Sequence, residues 1–391
     1  MTTAEARPGN SLARLILRHA HASRATDVHV EPAAGGFALR ERIDGRLSPA
    51  GKPLTRAAAA DLFQTVRDLA GIPRDADTLP ASGRFFADIG DRSIDVRAAT
   101  FPTAAGPSLC LSLLDPRTLI PRLDDFGLPG ECVAAIRSCV SRPGLFIVNG
   151  RTGSGKTTTL YSLLLYMARP DLKIMTAEDP VELNIVGVQQ LHAGQPGLPS
   201  FAEAIRAMSL SGVDIAMAAE MRDGDSMRAL LTIAGTGRRA LTVLHAPDAL
   251  GALHRFTRCS EAEPALIAEN ITGILNQALA RKPCPACVTT GTLTVEEAHS
   301  LGLSAREVGR KVVAAPGCAT CRNSGVRGGT IVVELLTMTP ALRRGLEARL
   351  GIDELRACMP ANFRTIRDEA LDKMFAGEIA PSEAIRLAGR A

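Results

Sequence analysis

Two hydrophobic rhythms divide this chain. In the first third, apolar and polar residues alternate. Val28 and Val30 alternate with Asp27, His29 and Glu31, the two-residue period of a strand with one face buried. Phe37, Leu39, Glu41 and Ile43 carry the alternation to a turn at Asp44 and Gly45. Two more strands are expected at 83–88 and 93–99, joined by residues 90–92. Ile94, Val96 and Ala98 share one face of the second; Asp95 and Arg97 share the other. Residues 108–114 read as a further strand with Leu109, Leu111 and Leu113 inward. A helical period places Leu12, Leu15, Ile16 and Ala20 on one face of 11–20, a packing helix rather than a membrane-surface one. Residues 55–70 read as a second helix. Residues 1–115 are therefore expected to be a small α+β domain.

The second rhythm begins near residue 141. Runs that are largely apolar, at 145–148, 172–177, 213–219 and 239–244, alternate with helical segments at 158–166, 201–210 and 226–234. Strands covered on both faces by crossover helices have this pattern, which predicts a parallel α/β sheet through about residue 258. Residues 261–281 read as helix. Two amphipathic helices follow in the tail, one lined by Leu342, Leu346 and Leu350, the other by Phe363, Ile366, Ala370 and Met374, with Gly377 as its cap. The stretch 116–130 is rich in Pro and Gly and reads as a linker. Cys132 and Cys139, on the helix after it, read as buried thiols rather than ligands.

Composition changes this picture in three ways. Hydrophobic residues make up 46% of 391, ample for packed cores. The charge of +4 comes from 45 basic and 41 acidic residues, without the clustered basic stripe of a dedicated nucleic-acid binder. The absence of Trp and the two Tyr leave few rings for base stacking. No apolar run approaches the roughly 18 residues of a membrane span. The first seven residues lack a signal-peptide pattern, so a cytoplasmic protein is expected.

The chemistry concentrates at Gly150, Arg151, Thr152, Gly153, Ser154, Gly155, Lys156 and Thr157, followed by Thr158. This is G-x-x-x-x-G-K-T, the Walker A phosphate loop, set between an apolar run and a helix as the motif requires. Its glycines let backbone N–H groups point at phosphate oxygens, and the helix N-terminus adds partial positive charge. Lys156 is placed to reach the β- and γ-phosphates of ATP, and the Thr157 hydroxyl to hold Mg²⁺. Glu178, Glu220 and His245 fall at strand ends on the same edge as this loop, where ligands of parallel sheets sit. Glu220 ends a run that resembles a Walker B strand and is the candidate to polarise the attacking water or orient Mg²⁺. Glu178 and Glu182 could assist, although Glu-Asp-Pro also makes a good turn. His245 either reports on the γ-phosphate or is structural. His29, between two carboxylates, reads as a solvent-side strand residue in preference to a metal ligand.

Four of the nine cysteines form two Cys-x-x-Cys pairs, Cys284 with Cys287 and Cys318 with Cys321. This spacing points to a metal rather than to disulfides. A four-thiolate set suits Zn²⁺ in a closed, structural site.

Taken together, these residues resemble the secretion and pilus-assembly ATPases of the GspE and PilB type. The matching pieces are residues 25–32, Gly83 with Arg84, 95–97, 100–103, the phosphate loop, 178–182, 220–223, Thr236 with Gly237, Leu244 with His245, both cysteine pairs, and 333–336. The resemblance implies a RecA-like P-loop ATPase core with a parallel sheet, preceded by a small PAS-like α+β domain and followed by a Cys₄ zinc module and C-terminal helices. The expected boundaries are 1–115, a linker and lead-in helix at 116–140, the core with a helical extension at 141–281, the zinc module at 282–335, and a helical region at 336–391. It also implies a homohexamer with ATP between one subunit's N-terminal domain and a neighbour's core. Arg84 and Arg97 would then reach the phosphates in the manner of arginine fingers, or else be plain strand-surface charges. The ring would bind ATP, Mg²⁺ and Zn²⁺ and no nucleic acid. It would dock on an inner-membrane platform protein, associate peripherally with that membrane, and power pseudopilus or type IV pilus assembly. The extra N-terminal adaptor domain common in the family is not expected here.

Some positions depart from the family pattern. Leu210, Gly212 and Val213 replace an Arg and an Asp-Pro pair before the Walker B position. Ala219 replaces a Gly, Arg238 a His, and Ser108 and Ser112 stand where arginines are usual. These changes weaken subunit-interface chemistry more than the phosphate loop and predict real but slow hydrolysis. Two other readings are a nucleotide-binding ring subunit with weak or no hydrolysis, and a RecA-like nucleic-acid motor. The charge balance and scarce aromatics argue against the motor.

Overall fold

The computed structural model describes residues 12–73, 79–89, 92–114, 120–183, 185, 187–221 and 223–389. The first seven residues, the turn at 90–91, the start of the linker at 116–119, and Arg222 lie outside the described residues. The chain forms two compact units, Met1–Leu119 and Ile120–Ala391.

The first unit contains α1 (Leu12–Ala22), β1 (Asp27–Ala33), β2 (Gly36–Ile43), β3 (Arg46–Pro49), α2 (Arg56–Ala70), β4 (Ala81–Ile89), β5 (Arg92–Thr103) and β6 (Gly106–Leu114). Its strands form a six-stranded antiparallel sheet in the order β3-β2-β1-β6-β5-β4. Alternation does what it predicts. Val28, Val30, Ile94, Val96, Leu109 and Leu111 are wholly buried and share a core with Ile16, Leu17, Leu62 and Val66 of α1 and α2. The expected turn is present, with Asp44 and Gly45 at φ 47° and 76°, and it returns the chain into β3, a strand not expected.

Two details differ from expectation. Leu15 is 56% exposed, and the buried stripe of α1 is Ala13, Ile16, Leu17 and Ala20. At about 100° per residue Ile16 and Leu17 flank the centre of that stripe, and Leu15 falls roughly 150° from it, on the opposite side of the helix. Glu41 pairs across from Val28 on the apolar face and is 1% exposed. His19 Nδ1 at 2.6 Å and Ser23 Oγ at 2.8 Å bind its carboxylate. Gly83 marks a close approach: a Cβ there would lie 2.1 Å from the carbonyl oxygen of Ala70 at the end of α2.

The second unit opens with α3 (Gly130–Ser141), β7 (Gly144–Asn149), α4 (Lys156–Met167), β8 (Ile174–Glu178), β9 (Val188–His192) and α5 (Phe201–Leu210). It continues with β10 (Ile215–Ala218), α6 (Gly224–Gly235), β11 (Arg239–Leu244), α7 (Ala249–Ser260), α8 (Pro264–Asn270) and β12 (Ile271–Pro283). β13 (Thr289–Thr292), α9 (Val295–Ser300), β14 (Lys311–Ala314) and β15 (Val326–Thr337) come next, then α10 (Pro340–Glu347), α11 (Ile352–Ala357), α12 (Ile366–Phe375) and α13 (Pro381–Ala388). The central sheet runs β15-β12-β7-β11-β10-β8-β9. Its strands are parallel except β15, which pairs antiparallel with β12. Leu145 and Ile147 face one core and Phe146 and Val148 the other, which explains the unbroken apolar run of β7.

The helix expected over 261–281 is corrected: only Pro264–Asn270 is helical, and Ile271–Pro283 is a thirteen-residue strand beside β7. Residues 271–277 are buried, so no periodicity separates strand from buried helix there. Pairing with β7 and β15 decides it. Consequently Cys284 directly follows one sheet strand, and Cys321 precedes another. The small β13–β14 sheet and α9 sit between them and share a core with α12 and α13 through Leu293, Leu301, Val312, Ile366 and Ala370. Phe363 and Leu350 lie outside the helices expected to carry them. β9, a mostly polar edge strand, was not expected.

Candidate functional site

The glycine loop leaves the end of β7 and enters α4 at Gly155, a left-handed residue with φ 84°. Among the described residues no side chain caps this helix, so the N–H groups of its first turn face the loop. Gly150 has φ 145°, and a Cβ there would meet the Gln277 carbonyl oxygen at 2.4 Å and Ser154 Oγ at 2.7 Å. Only glycine fits that backbone and that space. Lys156 is 8% exposed, and its ammonium donates to the Arg151 carbonyl at 2.8 Å. Burial pulls its pKa down to about 8, with Glu220 opposing. An amine costly to keep charged in this pocket is one that an anion would stabilise.

Glu220 follows β10, and His245 follows β11. His245 Nε2 lies 3.9 Å from Glu220 Oε1. Burial and the Lys156 charge lower the His245 pKa, Glu220 opposes them, and a backbone hydrogen bond links the ring to Gly150. The fold thus gathers Lys156, Glu220, His245 and Gly150 from three adjacent strand ends. Arg151, Thr152, Gly153, Ser154, Thr157 and Thr158 complete the loop and the first turn of α4.

Glu178 occupies a different setting. It is 1% exposed and accepts from Thr176 Oγ1 at 2.6 Å, Gln190 Nε2 at 3.0 Å and the Tyr161 hydroxyl of α4. Burial and this carboxylate raise the Tyr161 pKa, so its hydroxyl stays a donor. The backbone N–H of Glu182 donates to the same hydroxyl at 3.2 Å. Glu178 and Glu182 therefore meet the phosphate-loop helix through Tyr161.

Sequence reasoning missed the polar residues beneath the loop. Gln277 of β12, 2% exposed, donates to the Ser154 carbonyl at 2.7 Å. Asn149 donates to Ala246 O at 3.1 Å and accepts from Ala246 N at 2.8 Å, fastening the segment after His245. The available signal was polar residues, Asn149, Asn276 and Gln277, inside apolar runs.

In the first unit, Arg84 and Arg97 are paired in register on β4 and β5. Arg84 Nε donates to Asp95 at 2.7 Å, whereas Arg97 Nε and Nη2 are buried without a hydrogen-bond partner among the described residues. Ser112, at one of the departures, donates to Asp27 at 2.7 Å. Arg238 donates to Ser209 O at 3.2 Å, and Leu210 is 90% exposed.

Cys284, Cys287, Cys318 and Cys321 bring their sulfurs within 4.8 Å of one another. Cys321 lies 3.8 Å from Cys318 and 3.9 Å from Cys287. Zinc–thiolate bonds of about 2.3 Å imply tetrahedral edges of about 3.8 Å, so the set fits that ion. Burial acts to raise the Cys321 thiol, but N–H donors from Cys318 and Gly325 bring it down to about 6. A thiolate is the form a metal takes. No described helix is long and apolar enough to cross a membrane.

The structure is similar to the Legionella pneumophila ATPase DotB, at 18% identity, 98% of each chain and a TM-score of 0.71. It is also similar to the pilus retraction motor PilT with bound ADP, at 21% identity, 97% of each chain and a TM-score of 0.65. At these identities the likeness is one of fold, and it is the α/β class expected from the sequence. In sequence the chain is 33% identical to the type II secretion system protein E of Dickeya dadantii over 381 residues, 96% of this chain and 75% of that one. It is 31% identical to the type IV pilus assembly ATPase PilB of Thermus thermophilus over 365 residues, 93% of this chain and 41% of that one. The family model for type II/IV secretion system proteins matches residues 3–386, and the chain belongs to that family.

Proposed function

We propose that this chain is a motor ATPase of a protein-secretion or pilus-assembly machine. The observation that carries the reading is the meeting of Lys156, Glu220 and His245 around an uncapped, glycine-built helix N-terminus. Backbone N–H groups of the loop and Lys156 would grip the β- and γ-phosphates, the ammonium exchanging the Arg151 carbonyl for phosphate oxygen. The Thr157 hydroxyl and Glu220 would hold Mg²⁺, which when bound neutralises charge on the phosphate oxygens. Glu220 would also orient the attacking water, and His245 would exchange its Gly150 contact for phosphate oxygen, donating the single N–H that the neutral ring carries. Glu178 and Glu182 support this site from the Tyr161 side of α4.

The reading extends to a hexameric ring on an inner-membrane platform protein, with peripheral membrane association and a cytoplasmic location. Arg84 and Arg97 would reach a neighbour's nucleotide. The four cysteines would hold one structural Zn²⁺. Assembly of pseudopili or type IV pili is the work proposed.

The test is ATP hydrolysis by the purified chain. Glu220→Gln should cut turnover by about 100-fold or more and weaken Mg-nucleotide binding far less, because Thr157, Lys156 and the loop N–H groups remain. Unchanged turnover would remove Glu220 from the mechanism. Nucleotide binding with no turnover in the wild type would favour a ring subunit that binds without hydrolysing.

A further inference from the structure

A buried carboxylate that the proposed mechanism does not use lies on β15. Glu334 is 5% exposed, and burial raises its pKa. One oxygen accepts from Ala249 N, the first residue of α7, at 2.6 Å and from Asn276 Nδ2 at 3.1 Å. The other accepts from Ile366 N, the first residue of α12, at 3.2 Å. Asn276 in turn accepts from Asn149 Nδ2 at 2.8 Å. Asn149, the last residue of β7, also binds both backbone groups of Ala246 and the carbonyl of Asp248 at 3.3 Å. An unbroken chain of hydrogen bonds therefore joins the start of α12 to Ala246, Asp248 and Ala249. His245 sits at its near end.

We infer that Glu334 and Asn276 are positioning residues for His245: they hold the 246–249 segment, and with it the imidazole, at the phosphate loop. The inference rests on the ATPase reading for its catalytic consequence but not for its structural content. Segment 245–249 follows a strand end, where nothing in strand pairing fixes it. Its backbone is tied instead at Ala246 and Asp248 by Asn149 and at Ala249 by Glu334, with Asn276 bridging those two side chains. Arg255 also holds the His245 carbonyl, its Nη1 donating at 2.6 Å. Because Glu334 also binds α12, displacement of that helix would be felt at His245. Fully satisfied buried networks of this kind specify geometry more than they add stability.

The experiment uses the full chain with Asn276→Ala and, should that variant fail to fold, Glu334→Gln. Two readouts are taken. Deuterium uptake of residues 245–249 should rise at least about tenfold in rate in the variant, with melting little changed. In a double-mutant cycle with His245→Ala, Asn276→Ala should lower kcat about tenfold in the wild-type background with KM little changed. It should have less than about twofold effect once His245 is gone. Equal losses in both backgrounds, or unchanged exchange, would overturn the inference. Should the wild-type chain prove inactive, the ATPase reading falls alone, and exchange of 245–249 still decides the relay.

Discussion

Lys156 shows how far a single residue carries this site. Its ammonium is buried against the Arg151 carbonyl, and its pKa falls from 10.5 to about 8. Between those two values the unfolded chain binds a proton that the folded chain does not. Stability therefore gains with rising pH from about 8 toward 10.5, and the burial penalty is full below 8. Phosphate in the loop would raise the pKa again. Nucleotide binding at about pH 8.5 should thus take up roughly three quarters of a proton, read by titration calorimetry in buffers of different ionisation enthalpy. Lys156→Met should abolish the uptake. Glu220→Gln separates chemistry from binding at the same scale. At this scale the Walker residues were legible because their spacing is itself the chemistry. Asn276 and Glu334 were not, because a polar residue in an apolar run says nothing of its partner 58 positions away.

At the scale of elements, α12 is held by its ends. Thr365 Oγ1 accepts from Asp368 N at 3.2 Å, while Asp368 accepts from Thr365 N at 3.0 Å. At the other end the Lys373 ammonium donates to Gly127 O at 2.8 Å. Thr365→Ala should cost about 1 kcal/mol, measured by urea unfolding. The four cysteines gather between β12 and β15, whose register the metal would help hold. About one zinc per chain is expected by metal analysis, with chelation lowering the melting temperature and zinc restoring it. Less than about half an equivalent would end the assignment. The elements also show where periodicity gives out. Alternation predicted β1, β5 and β6 because one face is wet. β12 escaped because its first seven residues are buried and its Leu, Ala and Gln suit a helix as well.

At the scale of the molecule, the proposed ring makes a demand on the first unit. Arg97→Ala should leave nucleotide affinity of the dilute chain unchanged and lower the turnover of the assembled ring at least about tenfold. Light scattering would establish the assembly in both proteins. Equal turnover would return Arg97 to the role of a strand charge. The sequence alone determined the phosphate loop, the metal-ligand spacing, the alternating strands and the family, because each is written in local spacing or in a long match. Tertiary structure alone decided that β12 is a strand, that Glu41 is buried beneath His19 and Ser23, and that Glu178 faces Tyr161 while Glu220 faces His245. Those outcomes depend on which distant segment supplies the hydrogen-bond partner, and no local pattern encodes that choice.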